Sequence, residues 1–157
     1  EVRIHPRITA AASVGLGRFD DGNIRNRARA RIEGLVLTQP RITLGWEGLR
    51  FSNSKPDIVR GYYNPESYIE NKLISSIETT RWDWNFQARA GLGRLSEEPS
   101  GIGRGIYSWE LHAWRYIRDS TSLRMFIGRS DSAFNSNSTF GSGYSRSYGG
   151  IDLTIIF

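Results

Sequence analysis

Apolar and polar residues alternate with a period of two along most of this 157-residue chain. No segment offers the ~20 uninterrupted apolar residues that a membrane-spanning helix needs. Over 24–37, Ile24, Ala28, Ala30, Ile32 and Val36 fall on one side while Arg25, Arg27, Arg29, Arg31 and Glu33 fall on the other. Over 82–94, Trp82, Trp84, Phe86, Ala88, Ala90 and Leu92 oppose Asp83, Asn85, Gln87 and Arg89. Tyr107, Trp109, Leu111 and Ala113 oppose Ser108, Glu110 and His112, and Ile151, Leu153, Ile155 and Phe157 line up at the end. A helix would scatter each of these sets around its circumference, so the period predicts strands. Eight are expected, near 7–18, 24–37, 41–52, 67–79, 82–94, 106–118, 122–130 and 144–157.

The segments between them sort by length. Thr38–Pro40, Thr79–Arg81 and Asp119–Thr121 read as short turns, whereas Asn53–Glu66, Ser96–Gly105 and Ser132–Gly143 read as long loops, with Asp20–Asn23 the brief member of that set. Short and long connections therefore alternate, the asymmetry between the periplasmic turns and extracellular loops of outer-membrane barrels. Alternation by itself does not say which face meets water, since a soluble barrel would turn its apolar face inward. The loop asymmetry and a last strand ending on an aromatic favour the membrane arrangement. The expected fold is all-β: an antiparallel up-and-down transmembrane β-barrel of about eight strands over 1–157, in the bacterial outer membrane with lipid as its outer partner.

In that arrangement Arg25, Arg27, Arg29, Arg31, Glu33, Glu47, Glu70, Lys72, Asp83, Arg89, Glu110, Arg124 and Asp152 project inward and line the lumen. An interior ~8 strands around is just wide enough to be filled by side chains. Two readings of the arginine row stay open: a ladder that guides an anionic chain, or one side of a charge lattice with Glu33, Glu47 and Glu70. The formal net charge is +5, but the arginines alternate along strands and form no block, which argues against a nucleic-acid partner. The absence of Cys excludes disulfides and thiolate metal sites, and two distant histidines with scattered carboxylates make no ligand set, so neither metal nor cofactor is expected. His112, Glu110 and Asp83 could be drawn as an acid–base group, but no surrounding motif supports an enzyme. The two Gly-Leu-Gly-Arg segments, 15–18 and 91–94, lack the lysine and helix of a phosphate loop.

From about residue 41 onward the chain resembles the carboxy-terminal barrel of bacterial exopolysaccharide export porins, the cellulose and poly-N-acetylglucosamine subunits that carry tetratricopeptide repeats. The resemblance lies in Arg60-Gly-Tyr-Tyr-Asn-Pro-Glu-Ser-Tyr68, the aromatic strand into Gly93, the Gly105–Ile117 strand and the closing Tyr148-Gly-Gly-Ile-Asp-Leu-Thr-Ile-Ile-Phe157. It implies a role in polysaccharide secretion and reading of Phe157 by the barrel assembly machinery. Tyr62, Tyr63 and Asn64 either contact sugar at the extracellular mouth or pin their own loop, with Pro65 fixing a turn. Barrels of that family are larger and follow tetratricopeptide repeats, which this chain lacks. The chain is thus either the last part of such a barrel or a small relative closed at a smaller size. The alternative to export is a plugged barrel that anchors or stabilises a partner envelope protein.

Overall fold

A computed structural model describes residues 2–56, 63–99, 101–118, 121–131 and 145–155. Its described residues form one antiparallel sheet in which each strand pairs with the next in sequence. The strands are β1 (Val2–His5), β2 (Ile8–Arg18), β3 (Ile24–Thr38), β4 (Arg41–Asn53), β5 (Ser67–Arg81), β6 (Trp84–Glu98), β7 (Ile102–Arg118), β8 (Thr121–Ser130) and β9 (Arg146–Ile155). The eight segments expected from the alternation are β2 to β9. The count is nine because Val2–His5 adds a short strand along the start of β2.

That ninth strand bears on closure. In an all-antiparallel sheet the first and ninth strands run the same way, so they cannot join antiparallel, and β1 and β9 are the two edges of an open sheet. The closed ring expected from the sequence is therefore not formed among the described residues. Phe157 lies outside the described residues, as does Tyr62.

The connections at the two ends of the sheet differ in length, although one of the expected long loops is short. At one end the strands are joined through 6–7, 39–40, 82–83 and 119–120, each two residues; at the other through 19–23, 54–66, 99–101 and 131–145. Two expected boundaries move. Ser96–Gly105 is not a long loop, because Glu97 pairs with Ile102 and the hairpin closes around 99–101. Thr79–Arg81 is strand, and the turn falls at Trp82–Asp83, where both residues have positive φ (51° and 63°). Two successive positive φ values define the turn whose twist matches the flanking strands, usually built from Asn-Gly or Asp-Gly. Period two alone cannot reveal that a tryptophan sits in such a turn.

Irregular pairing occurs at Arg3/His5, Leu35/Leu37 and Tyr116/Arg118, all near the two-residue turns. Val36 is the extra residue of the second of these bulges, which explains why its place in the alternation of β3 is lost there.

The turn generates a test. Replacing Trp82 and Asp83 together by Asn and Gly puts the two residues that best tolerate left-handed backbone at these positions. It is expected to stabilise the fold by about 1 kcal/mol, read as a higher midpoint in urea unfolding. An unchanged or lower midpoint would mean that the Arg81 guanidinium, 4.5 Å from the Trp82 ring, contributes more than the backbone costs.

Candidate functional site

The pairing registers sort every strand residue onto one of two faces. One carries Arg25, Arg27, Arg29, Arg31 and Glu33 of β3 and Glu47, Leu49 and Phe51 of β4, then Glu70 and Lys72 of β5 and Arg89 of β6. It continues through Glu110 and His112 of β7 and Arg124 of β8 to Asp152 of β9. Twelve of the thirteen charged residues expected together thus share one face. Asp83 does not: it sits in the exposed Trp82–Asp83 turn, outside the ladder that begins at Trp84.

This charged face is the sheltered one. Glu47, Glu70 and Lys72 are 4%, 1% and 2% exposed, while Val14, Leu73, Leu92 and Ile151 on the other face are each 70% exposed or more. The sheet can hide one face of its central strands only by curling around it, and it curls around its charges.

Three groups of contacts organise the face. In the middle, Glu47 is held by Lys72 Nζ at 2.9 Å and by Arg31 Nη1 at 3.2 Å, and Arg31 Nη2 also reaches Glu33 at 2.8 Å. Charges of alternating sign therefore run across β3, β4 and β5. Lys72, paired with Gly93, can lie flat over its diagonal neighbour on β6, Gly91, where a Cβ would come within 2.9 Å of the lysine stem. Arg29 of β3 shares an electrostatic interaction with Glu70 of β5, across Leu49 of β4.

Nearer the long connections, aromatic packing takes over. Phe51 stacks on Tyr68 at 4.7 Å, and Tyr63 meets both edge-on at 6.1 and 6.2 Å. Leu49, Leu95 and Ile106 complete a small buried cluster. Arg25 lies over the Phe19 and Phe51 rings, donates to Asn53 Oδ1 at 2.8 Å and also bonds the Tyr63 carbonyl. The Tyr63 hydroxyl donates to Glu97 at 2.5 Å. Asn64 donates to the Lys55 carbonyl and accepts from Asn23, which is wholly buried and also receives the Ser54 hydroxyl and the Lys55 N–H. Of the three loop residues proposed to touch sugar, Tyr63 and Asn64 thus hold the 54–66 connection against the sheet.

The third group spans β7 to β9. The Arg124 guanidinium, which can only donate, lies 3.0 Å from His112 Nδ1, so Nδ1 accepts and the ring proton sits on Nε2, facing Glu110. The Tyr148 hydroxyl donates to the other Glu110 oxygen at 2.9 Å. Tyr148 reaches it by lying across Gly128, where a Cβ would meet the phenol at 2.8 Å. His112 and Glu110 are thus neighbours, as their spacing implied, but their third partner is Arg124 and not Asp83. Asn23, Glu97 and Tyr148 were not singled out as site residues in the sequence; for Tyr148 the usable signal was its place on the arginine side of a strand rich in glycine.

Among the described residues no group of three or more His, Cys, Asp or Glu is placed to hold a metal ion. No protein-family model matches the chain, and no curated protein or solved structure proves significantly similar to it.

The central pair gives a clean test. Glu47→Leu withdraws a carboxylate from a lysine whose side chain is 1% exposed, and is expected to cost about 3–5 kcal/mol. Adding Lys72→Met should restore most of that loss, because a buried ion pair gains little over apolar residues of similar size. Urea unfolding of the single and double variants reads both. Two additive losses would show that the pair is not the organising contact.

Proposed function

We propose that this sheet is the wall of an outer-membrane β-barrel, with its apolar face toward lipid and its charged face toward the lumen. The carrying observation is the inverted burial: carboxylates and a lysine sheltered, leucines, isoleucines and valines exposed. A soluble protein that left so many large apolar side chains in water would aggregate, whereas hydrocarbon is their natural surrounding. The eight long strands each have at least ten residues, enough for the ~9–11 that a tilted membrane strand requires. Trp46, Trp109 and Tyr107 on the same face suit the aromatic girdles of such barrels.

Closure must accompany insertion, because an open edge in hydrocarbon leaves each backbone group unsatisfied at a cost of several kcal/mol. Beyond Ala10 the outer edge of β2 has no partner strand among the described residues, and β9 runs antiparallel to it. That edge is the natural acceptor for β9 or for further strands.

The function we assign is a part in the secretion of a polysaccharide across the bacterial outer membrane, on the strength of the resemblance in the Arg60–Tyr68 loop and the closing strand, with assembly directed from Phe157. The plugged anchor for a partner envelope protein is the second reading, favoured by Tyr63 and the aromatic cluster that fill the charged face near the long connections.

Two measurements separate these. Reconstituted in vesicles of brominated phosphatidylcholine, the protein should lose most of the fluorescence of Trp46 and Trp109, and single Trp→Phe variants locate the quenched rings. Unquenched tryptophans would overturn the membrane wall altogether. In planar bilayers an export pore conducts ions, with conductance changed by Arg29→Ala, whereas the anchor gives none.

A further inference from the structure

The outward face of the described strands is almost free of carboxylates. By register, Glu33, Glu47, Glu70, Glu78, Glu97, Glu110 and Asp152 all lie on the sheltered face. Among the described strand residues, Glu98 at the tip of its hairpin is the single carboxylate on the other side. Arginines are not so confined. Arg81 and Arg115 lie on the outward face near the two-residue turns. Toward the long connections, Arg18, Arg50, Arg94 and Arg129 share it with Leu16, Ile69, Leu92 and Ile127.

The placement of the last four is regular. They lie on β2, β4, β6 and β8, the four strands running toward the long connections, and each falls within the last few residues of its strand. Followed along the pairing rows, they step steadily from one strand to the next. Arg50 lies in the row of Val14, Arg94 in that of Ala12 and Arg129 in that of Ile8. A tilted strand turns such a stagger into a level belt. Between Arg50 and the first pair of strands lies a groove of about 510 Å³, floored by Asn26 and Ala28 and walled by Val14 and Leu16. Arg50 borders a second hollow as well, beside Trp46 and Ile69.

We propose that this belt binds phosphorylated lipid headgroups of the leaflet on the long-connection side, with an acyl chain in the Val14–Ala28 groove and a phosphate on Arg50. The proposal rests on the membrane-wall reading and adds a partner and an orientation to it. Charge decides the occupant. Guanidinium groups at the margin of an apolar face, with carboxylates kept to the opposite face, are complementary to an anion held at the end of a hydrocarbon chain, and arginine pairs with phosphate in two-point geometry. Arg129, over the Tyr107 ring at 5.3 Å, joins the belt to the aromatic girdle.

The test is native mass spectrometry of the folded protein in neutral detergent, titrated with lipid A and separately with the same lipid stripped of both phosphates. Wild type should retain lipid A and release the dephosphorylated form. Arg50→Gln and Arg94→Gln should each weaken retention about fivefold, the worth of one cation near an anionic headgroup. Arg50→Lys, which keeps the charge but not the two-point geometry, should fall between Arg50→Gln and wild type. Arg115→Gln, on the same face at the two-residue-turn end, should have no effect. Equal binding of both lipids, or equal loss from Arg115→Gln, would overturn the proposal. Brominated-lipid quenching on the same samples keeps the two ideas apart. Quenched tryptophans with no phosphate preference sink the belt alone; unquenched ones sink the membrane wall beneath it.

Discussion

A carboxylate taken out of water must be met by a cation or by hydrogen bonds, since the desolvation of an unmatched charge costs several kcal/mol. The Glu47–Lys72–Arg31–Glu33 chain meets that constraint across three neighbouring strands, and much else follows from it. Its members touch only if β3, β4 and β5 keep their register, because a slip of one residue would turn every charge to the other face. The lattice therefore fixes the register, the register fixes the outward apolar surface, and that surface defines what the sheet can face. Lys72 lies along Gly91 and Tyr148 along Gly128, so the sheltered face needs glycine where a long side chain has to cross a neighbouring strand.

The same face changes character along the strands. Toward the two-residue turns it is mostly polar, with Thr43 and Ser76 sharing a hydroxyl contact at 2.7 Å and Arg41 facing Glu78. In the middle it is ionic, and toward the long connections it becomes aromatic, held by the 54–66 connection through Tyr63, Asn64 and Asn23. Side chains from a connection thus pack onto this end of the face, Tyr63 against Phe51 and Tyr68. A polymer passing along the face would meet arginines first and a tyrosine–phenylalanine barrier last, or the reverse. That is why conduction and plugging are competing expectations for one and the same set of residues.

Much of this was legible in the sequence. Strict alternation with arginine on one side and alanine or isoleucine on the other placed β3 and its face correctly, and the same rule gathered twelve charged residues from seven strands. It failed at Asp83 for a reason that alternation cannot contain: a two-residue turn can be written Trp-Asp, and the strand then restarts two residues later than its pattern implies. It failed at Ser96–Gly105 because Gly103, Gly105 and Pro99 look like loop chemistry, yet the glycines sit within a ladder that runs up to Glu97↔Ile102. Which face is sheltered was not legible in the alternation, which is symmetric with respect to inside and outside. Only the connection lengths and the aromatic last strand favoured the charged face, and in the assembled sheet it is the curvature that shelters it.

The direction of that curvature bears on closure. Burial is deepest on β4 and β5 and declines toward both margins, where Ser13, Gly15 and Gly17 of β2 and Asp152 of β9 lie exposed on the charged face. The small residues of β2 leave the space above that strand open, and Gly15 has nothing within 4 Å of where a Cβ would stand. Bringing β9 to the open edge of β2 would carry Asp152 toward the arginine row of β3, where a further carboxylate is matched by charge. An all-antiparallel ring needs an even number of strands, so β1, four residues long and paired only at the start of β2, has to lie outside the ring or gain further strands beside it. The charge lattice that fixes the centre of the sheet thus also prescribes what its margins can accept: an antiparallel edge that brings acid to the arginines and keeps the apolar face continuous.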